Sequence, residues 1–177
     1  RVAFTLHKEN GFPVVIIRPF NSYGPRYTEP YIIPEILSQV LNGNKQLTLG
    51  NIEATRDFTY VSDTADAIIR SIDAKKAIGE IVNVGSGYET SIRDLAFKIA
   101  KIAKKKIKIK YDEGRERPYD VNRLCCNNKK AKNLLGWKPK ISINSGLRKT
   151  FNWATKNRIV FRTPFKRFYY KGLATKR

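Results

Sequence analysis

Residues 14–26 read VVIIRPFNSYGPR, and the change of character at Arg18 is the strongest fold signal in the chain. Four β-branched residues, Val14 to Ile17, run into Arg18-Pro19-Phe20-Asn21 and then Tyr23-Gly24-Pro25-Arg26. An apolar run bounded by Gly11 and Pro13 before it and Pro19 after it suits the central strand of a parallel sheet covered on both faces. The residues beyond it read as a polar, turn-rich loop at the carboxyl end of that strand. Open α/β sheets bind their ligands there, which makes Phe20, Asn21 and Tyr23 the first candidates for a site.

Working outward, helix and strand periods alternate. Residues 1–9 read as the end of a helix. Pro30 to Leu41 places Ile32, Ile33, Ile36, Leu37, Val40 and Leu41 at helical spacing, with Pro34 in the first turn, where proline is tolerated. Short strands are expected at 46–50 and 56–61. Ser62 or Asp63 is the expected cap of a helix through Asp73 that turns Ala65, Ile68, Ile69 and Ile72 inward. A buried strand at 80–84, a helix from Ser91 to 105, a strand at 106–111, a helix at 128–135 stopped by Gly136 and a last helix from Ser145 to Lys156 complete an α/β layout.

The chain has 177 residues, 41% of them hydrophobic, which is enough for one real core and excludes wholesale disorder. No apolar run approaches the length of a membrane span. Cys125 and Cys126 stand alone and adjacent, too few ligands for a structural zinc site and expected as reduced thiols of a cytoplasmic protein. His7, the one histidine, reads as a capping or surface residue. The net charge of +20 is concentrated in Lys98, Lys101, Lys104, Lys105, Lys106, Lys108 and Lys110, and in the acid-free stretch after Thr155. The lysine run alternates with isoleucines, as the solvated face of an amphipathic helix and strand does. Phe161, Phe165, Phe168 and Tyr169 lie among basic residues in the tail 158–177, a composition that could touch nucleic acid or a membrane surface, though an extension either packed on the body or frayed is favoured over that.

Further blocks sharpen the functional reading: TRDFTYVSD at 55–63, NVGSG at 83–87 with Thr90-Ser91, GRERPYDV at 114–121 and NNKKAKNLLGWKP at 127–139. With the opening stretch, in this order and spacing, they resemble the extended short-chain dehydrogenase/reductase family, in particular its NAD-dependent nucleotide-sugar epimerases and 4,6-dehydratases. The resemblance implies an α/β fold: the C-terminal part of a Rossmann-like doubly wound parallel sheet plus a small α/β substrate-binding domain. It covers 1–157 and leaves 158–177 as a separate basic aromatic tail. The family's Gly-rich dinucleotide turn and its catalytic Y-x-x-x-K pair are not in this sequence, and there is no Met. An N-terminally incomplete enzyme, with no catalytic residue of its own and inactive alone, is the expectation.

By the same resemblance, Pro19 and Phe20 lie beside the nicotinamide of NAD and Asn21 contacts the substrate near its phosphates. Ile33 and Pro34 cover the nucleotide base, with Glu35 standing where a basic residue is common. Arg56 and Arg117 are assigned to the diphosphate, because a guanidinium offers planar paired donors at permanent charge. Arg56 could instead serve a structural ion pair, and Arg115 could exchange roles with Arg117. Phe58 is placed close to the nucleoside, with burial in the core as the alternative, and Asp120 at the ribose hydroxyls. The expected ligand is a UDP-, dTDP- or GDP-hexose, with no metal, and the intact protein is expected to be a homodimer. The alternative is a non-enzymatic basic binding module for nucleic acid or a membrane surface.

Overall fold

The computed structural model describes residues 2–26, 31–115 and 120–157. Arg117 and the tail 158–177, both singled out above, lie outside these residues. Helices α1 (Val2–Asn10), α2 (Ile32–Leu41), α3 (Val61–Ile72), α4 (Ile92–Ile102), α5 (Lys129–Leu135) and α6 (Ile143–Lys156) alternate with short strands. These are β1 (Ile16–Pro19), β2 (Asn21–Tyr23), β3 (Gln46–Leu49), β4 (Thr55–Tyr60), β5 (Ile81–Val84), β6 (Glu89–Ser91), β7 (Lys108–Tyr111) and β8 (Arg123–Leu124). No helix among the described residues is long and apolar enough to cross a membrane.

Three sheets organise them. β1 pairs in parallel with β5, Ile16 opposite Ile81 and Pro19 opposite Val84. β4 is the hub of the second, parallel to β2 and β8 and antiparallel to β6. β3 and β7 form a third parallel pair. The main core joins α2, α4 and α6 to β3 and β4 through Ile36, Leu37, Val40, Leu47, Leu49, Leu95, Ile99 and Leu147, all essentially inaccessible. A second cluster packs Ala67 of α3 and Val82 and Val84 of β5 against Ala131, Leu135 and Trp137.

Several expectations change. The apolar run is not covered on both faces: Val14 to Ile17 are half-buried and Arg18 and Pro19 are exposed, because α1, the helix preceding β1, buries no residue. The turn-rich loop is in fact β2, since Asn21–Tyr23 find their backbone partners in Phe58–Tyr60. Helix α3 starts at Val61 with no side-chain cap, and its inward residues are Asp63, Thr64 and Ala67. Ile68, Ile69 and Ile72 point outward, Ile69 being 64% and Ile72 77% exposed. Small residues on the inner side allow close helix approach, so the bulky stripe falls on the opposite side. Helix α4 ends at Ile102, and Lys104 turns the chain at φ 53 toward β7. Helix α6 starts at Ile143, with the Ser142 hydroxyl capping the amide of Ser145.

Candidate functional site

Strand β4 carries the chemistry, and its period of two divides it. Arg56, Phe58 and Tyr60 share one face; Thr55, Asp57 and Thr59 share the other. On the first face the Arg56 Nη2 donates to Oδ1 of Asp120 at 2.6 Å, and its Nη1 donates to the Thr55 carbonyl at 2.8 Å. The two side chains are 15% and 24% exposed, so a charged pair from motifs 64 residues apart is held in a mostly desolvated position. Beside it in β2, opposite Phe58, Asn21 donates through Nδ2 to the Asp57 carbonyl at 3.1 Å. That bond fixes the amide plane and leaves the Asn21 carbonyl oxygen as an acceptor.

Phe58 is buried, with its ring edge-on to Tyr23 at 6.3 Å. It also forms the floor of a cleft of about 330 Å³ bordered by Ser86, Tyr88, Thr90, Lys140 and Ile143. Tyr23 in turn meets Tyr60 edge-on at 5.6 Å and donates to the Ile143 carbonyl at 3.3 Å. Burial raises the Tyr23 hydroxyl far above its ordinary value, with Tyr60 and Asp63 adding to the effect, which keeps it a neutral donor. Gly146 makes this junction possible: a Cβ there would lie 2.1 Å from the Tyr23 oxygen.

On the opposite face of β4, Asp57 is fully buried and was not singled out by the sequence for any site role. Its Oδ1 accepts from the Ser86 amide at 2.8 Å and hydroxyl at 2.6 Å; its Oδ2 accepts from the amides of Gly87 at 2.8 Å and Cys126 at 3.1 Å. One carboxylate thereby ties the end of β5 and the 125–126 segment to the strand that bears Arg56. The close approach requires Gly85, where a Cβ would fall 2.3 Å from that of Cys126. Burial, with Asp57 and Cys125 adding to it, pushes the Cys126 thiol up to about 12, while Cys125 is exposed and also raised, chiefly by desolvation. The acid motif RDF could have marked Asp57, since an acid among apolar strand residues needs several donors to be buried.

Asp63 plays a similar part, accepting the amides of Lys140 and Ile141 at 2.9 Å each, while its carbonyl accepts Trp137 Nε1 at 2.9 Å. Glu35 accepts from Arg115 Nη1 and from Gln39 Nε2, each at 2.7 Å, so Arg115 is engaged at the start of α2. Ile33 and Pro34 are buried on the core side of α2. Pro19 is exposed and Phe20 part-buried where β1 ends, the Phe20 amide donating to the Val84 carbonyl at 2.8 Å. The structure therefore brings Asn21, Arg56, Phe58 and Asp120 together around β4, with Pro19 and Phe20 just before β2.

Comparison with known proteins identifies the family and the fold. The family model for GDP-mannose 4,6 dehydratase matches residues 1–150. UDP-N-acetyl-alpha-D-glucosaminuronate decarboxylase of Bacillus cytotoxicus is 36% identical over 157 residues, covering 81% of this chain and 46% of the relative. The dTDP-D-glucose 4,6-dehydratase of Mus musculus is 32% identical over 151 residues, covering 82% and 42%. UDP-glucuronic acid 4-epimerase from Bacillus cereus, solved with UDP-glucuronic acid and NAD, superposes with a TM-score of 0.80 at 29% identity, covering 88% of this chain and 49% of that one. An epimerase from Methanothermobacter thermautotrophicus gives 0.83 at 29% identity, covering 91% and 48%. The chain thus spans about half the length of the relatives it matches. With its motifs carried on the same fold, the chain belongs to the GDP-mannose 4,6-dehydratase family.

Proposed function

We propose that these 177 residues are the substrate-binding portion of an NAD-dependent nucleotide-sugar epimerase or 4,6-dehydratase acting through a transient 4-keto sugar. One observation carries the reading: on one face of β4 the largely buried Arg56 guanidinium stands two residues before Phe58, which lies opposite Asn21 and lines a cleft, and Asp57 braces the strand from behind. A diphosphate is the ligand group best matched to a fixed guanidinium, and a neighbouring amide oxygen suits a sugar hydroxyl. Asn21, Arg56 and Phe58 are the proposed substrate contacts, and Asp120, expected at the ribose hydroxyls, is paired with Arg56. Arg117, outside the described residues, belongs to the same proposal, whereas Ile33 and Pro34, expected over the base, are buried on the core side of α2. NAD, when bound, supplies hydride acceptance and return. The exposed Pro19 and adjoining Phe20 offer the apolar surface that a planar nicotinamide needs.

The chain's own residues then bind and orient the sugar nucleotide, and none is assigned a proton-transfer role. The ligand class extends to UDP-, dTDP- and GDP-hexoses. The reading further takes 1–157 as the substrate-holding unit and 158–177 as a separate tail. It places the protein in the cytoplasm, in keeping with two free thiols, and makes the intact protein a homodimer, which sedimentation of the full-length protein tests. Isothermal titration of the chain with UDP, dTDP and GDP tests the core of the proposal. Saturable binding of one of them, weakened about tenfold or more by Arg56→Ala, is expected; no binding of any would overturn it. Product formed by the chain alone from NAD and UDP- or dTDP-hexose would overturn the assignment of proton transfer elsewhere.

A further inference from the structure

We infer that Asp120 serves the diphosphate grip by holding the Arg56 guanidinium in place, acting as a positioning residue and not through the ribose. The inference rests on the substrate reading just given. The Asp120 Oδ1 is committed to Arg56 Nη2 at 2.6 Å, a short, charge-assisted contact. Arg56 Nη1 is simultaneously committed to the Thr55 carbonyl at 2.8 Å. Two terminal nitrogens with fixed partners define the plane of a rigid fork, and among the described residues the remaining N–H groups are left for a ligand.

The carboxylate is anchored to the same strand that it steadies. The Thr55 amide donates to the Asn122 carbonyl at 2.8 Å, and β8 continues the pairing with Thr55 opposite Arg123 and Arg56 opposite Leu124. Asp120 therefore sits two residues from a backbone bond to the neighbour of Arg56, so its register against the guanidinium is set by β4 itself. A long arginine side chain loses rotamer freedom when it binds an anion, and a partner that removes this freedom beforehand improves affinity. Opposing this, a carboxylate lowers the positive potential felt by an approaching diphosphate. The two effects have opposite signs in an Asp120 variant, which makes the direction of change informative.

The test compares a nucleoside diphosphate with its nucleoside, for example UDP with uridine, or the dTDP or GDP pair if that diphosphate binds best. Affinities are measured by titration for the wild-type chain, Asp120→Ala, Arg56→Ala and the double variant, with thermal melting as a check on folding. The expected result is about a tenfold loss of diphosphate affinity in Asp120→Ala, no change for the nucleoside, and no further loss when Arg56 is already alanine. Equal loss for diphosphate and nucleoside would place Asp120 at the ribose and overturn the inference. So would a loss that persists in the Arg56→Ala background, or unchanged or tighter diphosphate binding. If Asp120→Ala does not fold, Asp120→Asn, which keeps the shape and loses the charge, carries the same comparisons. Absence of diphosphate binding by the wild-type chain brings down the substrate reading as well. Binding weakened by Arg56→Ala but not by Asp120→Ala sinks this inference alone.

Discussion

Two regions of this chain use the same apolar alphabet with different results. Around α2, α4 and α6, isoleucines and leucines close on one another and on β3 and β4, leaving Ile36, Leu37, Val40, Leu47 and Leu95 without accessible surface. Around α1, β1 and α3, Phe4, Leu6, Phe12, Ile68, Ile69 and Ile72 stay exposed, and a hollow of about 540 Å³ opens between Pro13, Val15, Ile72 and Ile78. Helix α3 shows the contrast within one element, with Ala67 buried on one side and isoleucines bare on the other. A helix that turns its bulky apolar residues outward suits the interior of a larger assembly. The β3–β7 side is thus self-sufficient in its core, whereas the β1–β5 side has apolar surface to spare, as fits a chain matching about half of its relatives' length.

The comparison breaks first on stability. Leu95→Ala, in the closed core, is expected to cost about 2–5 kcal/mol in chemical denaturation, whereas Ile72→Ala should stay within about 0.5 kcal/mol of wild type. Similar costs for both would mean that the exposed stripe is covered in solution. Asp57→Asn replaces an acceptor of three backbone amides and two hydroxyls, those of Ser86 and Thr59, with a group that presents donors to donors, and a loss of about 3 kcal/mol is expected. Unchanged melting would show that β4 does not depend on this brace. Gly146→Ala, which forces a Cβ against Tyr23, should cost about 1–3 kcal/mol despite the better helix propensity of alanine.

Smaller effects sharpen the picture. The double change Ile69→Ser and Ile72→Ser should leave stability nearly unchanged while lowering self-association in sedimentation, since it removes exposed apolar area and no core contact. At neutral pH, iodoacetamide should modify Cys125 slowly and leave Cys126 untouched until unfolding, because thiols raised to this extent carry little thiolate. Rapid labelling of Cys126 in the folded chain would show that the 125–126 segment opens. The smallest effect concerns Asp66, Glu80 and Glu89, whose carboxyls are held below the usual range chiefly by bonds to Arg70, Lys130 and Arg123. Their contribution to stability is present above the unfolded-state pKa and is lost as pH falls through the lower folded-state value. These groups are exposed, so the acid limb of a pH–stability profile should move only slightly in Glu80→Gln.

Much of the candidate site is legible in the sequence. The strand-ending RPFN and the TRDF block named Pro19, Phe20, Asn21, Arg56 and Phe58, and the structure gathers them at β1, β2 and β4 because short blocks at strand ends carry their own local geometry. The bracing role of Asp57 is not legible in the sequence, since its donors come from residues 86, 87 and 126 and no local pattern announces them. Ile33 and Pro34 turn out to face the core of α2, a direction that periodicity indicates only relative to other apolar residues.

By itself, then, the sequence determined the alternation of helices and strands, the apolar stripes and the family, because these depend on residue type at short spacing. Tertiary structure alone decided that Arg56 is held by Asp120, that Asp57 ties three segments together, and that the isoleucines of α3 look outward. Each of those depends on which distant segment arrives beside a given face. A periodicity gives the angle of a side chain about its own axis, and only the packed chain supplies what stands opposite.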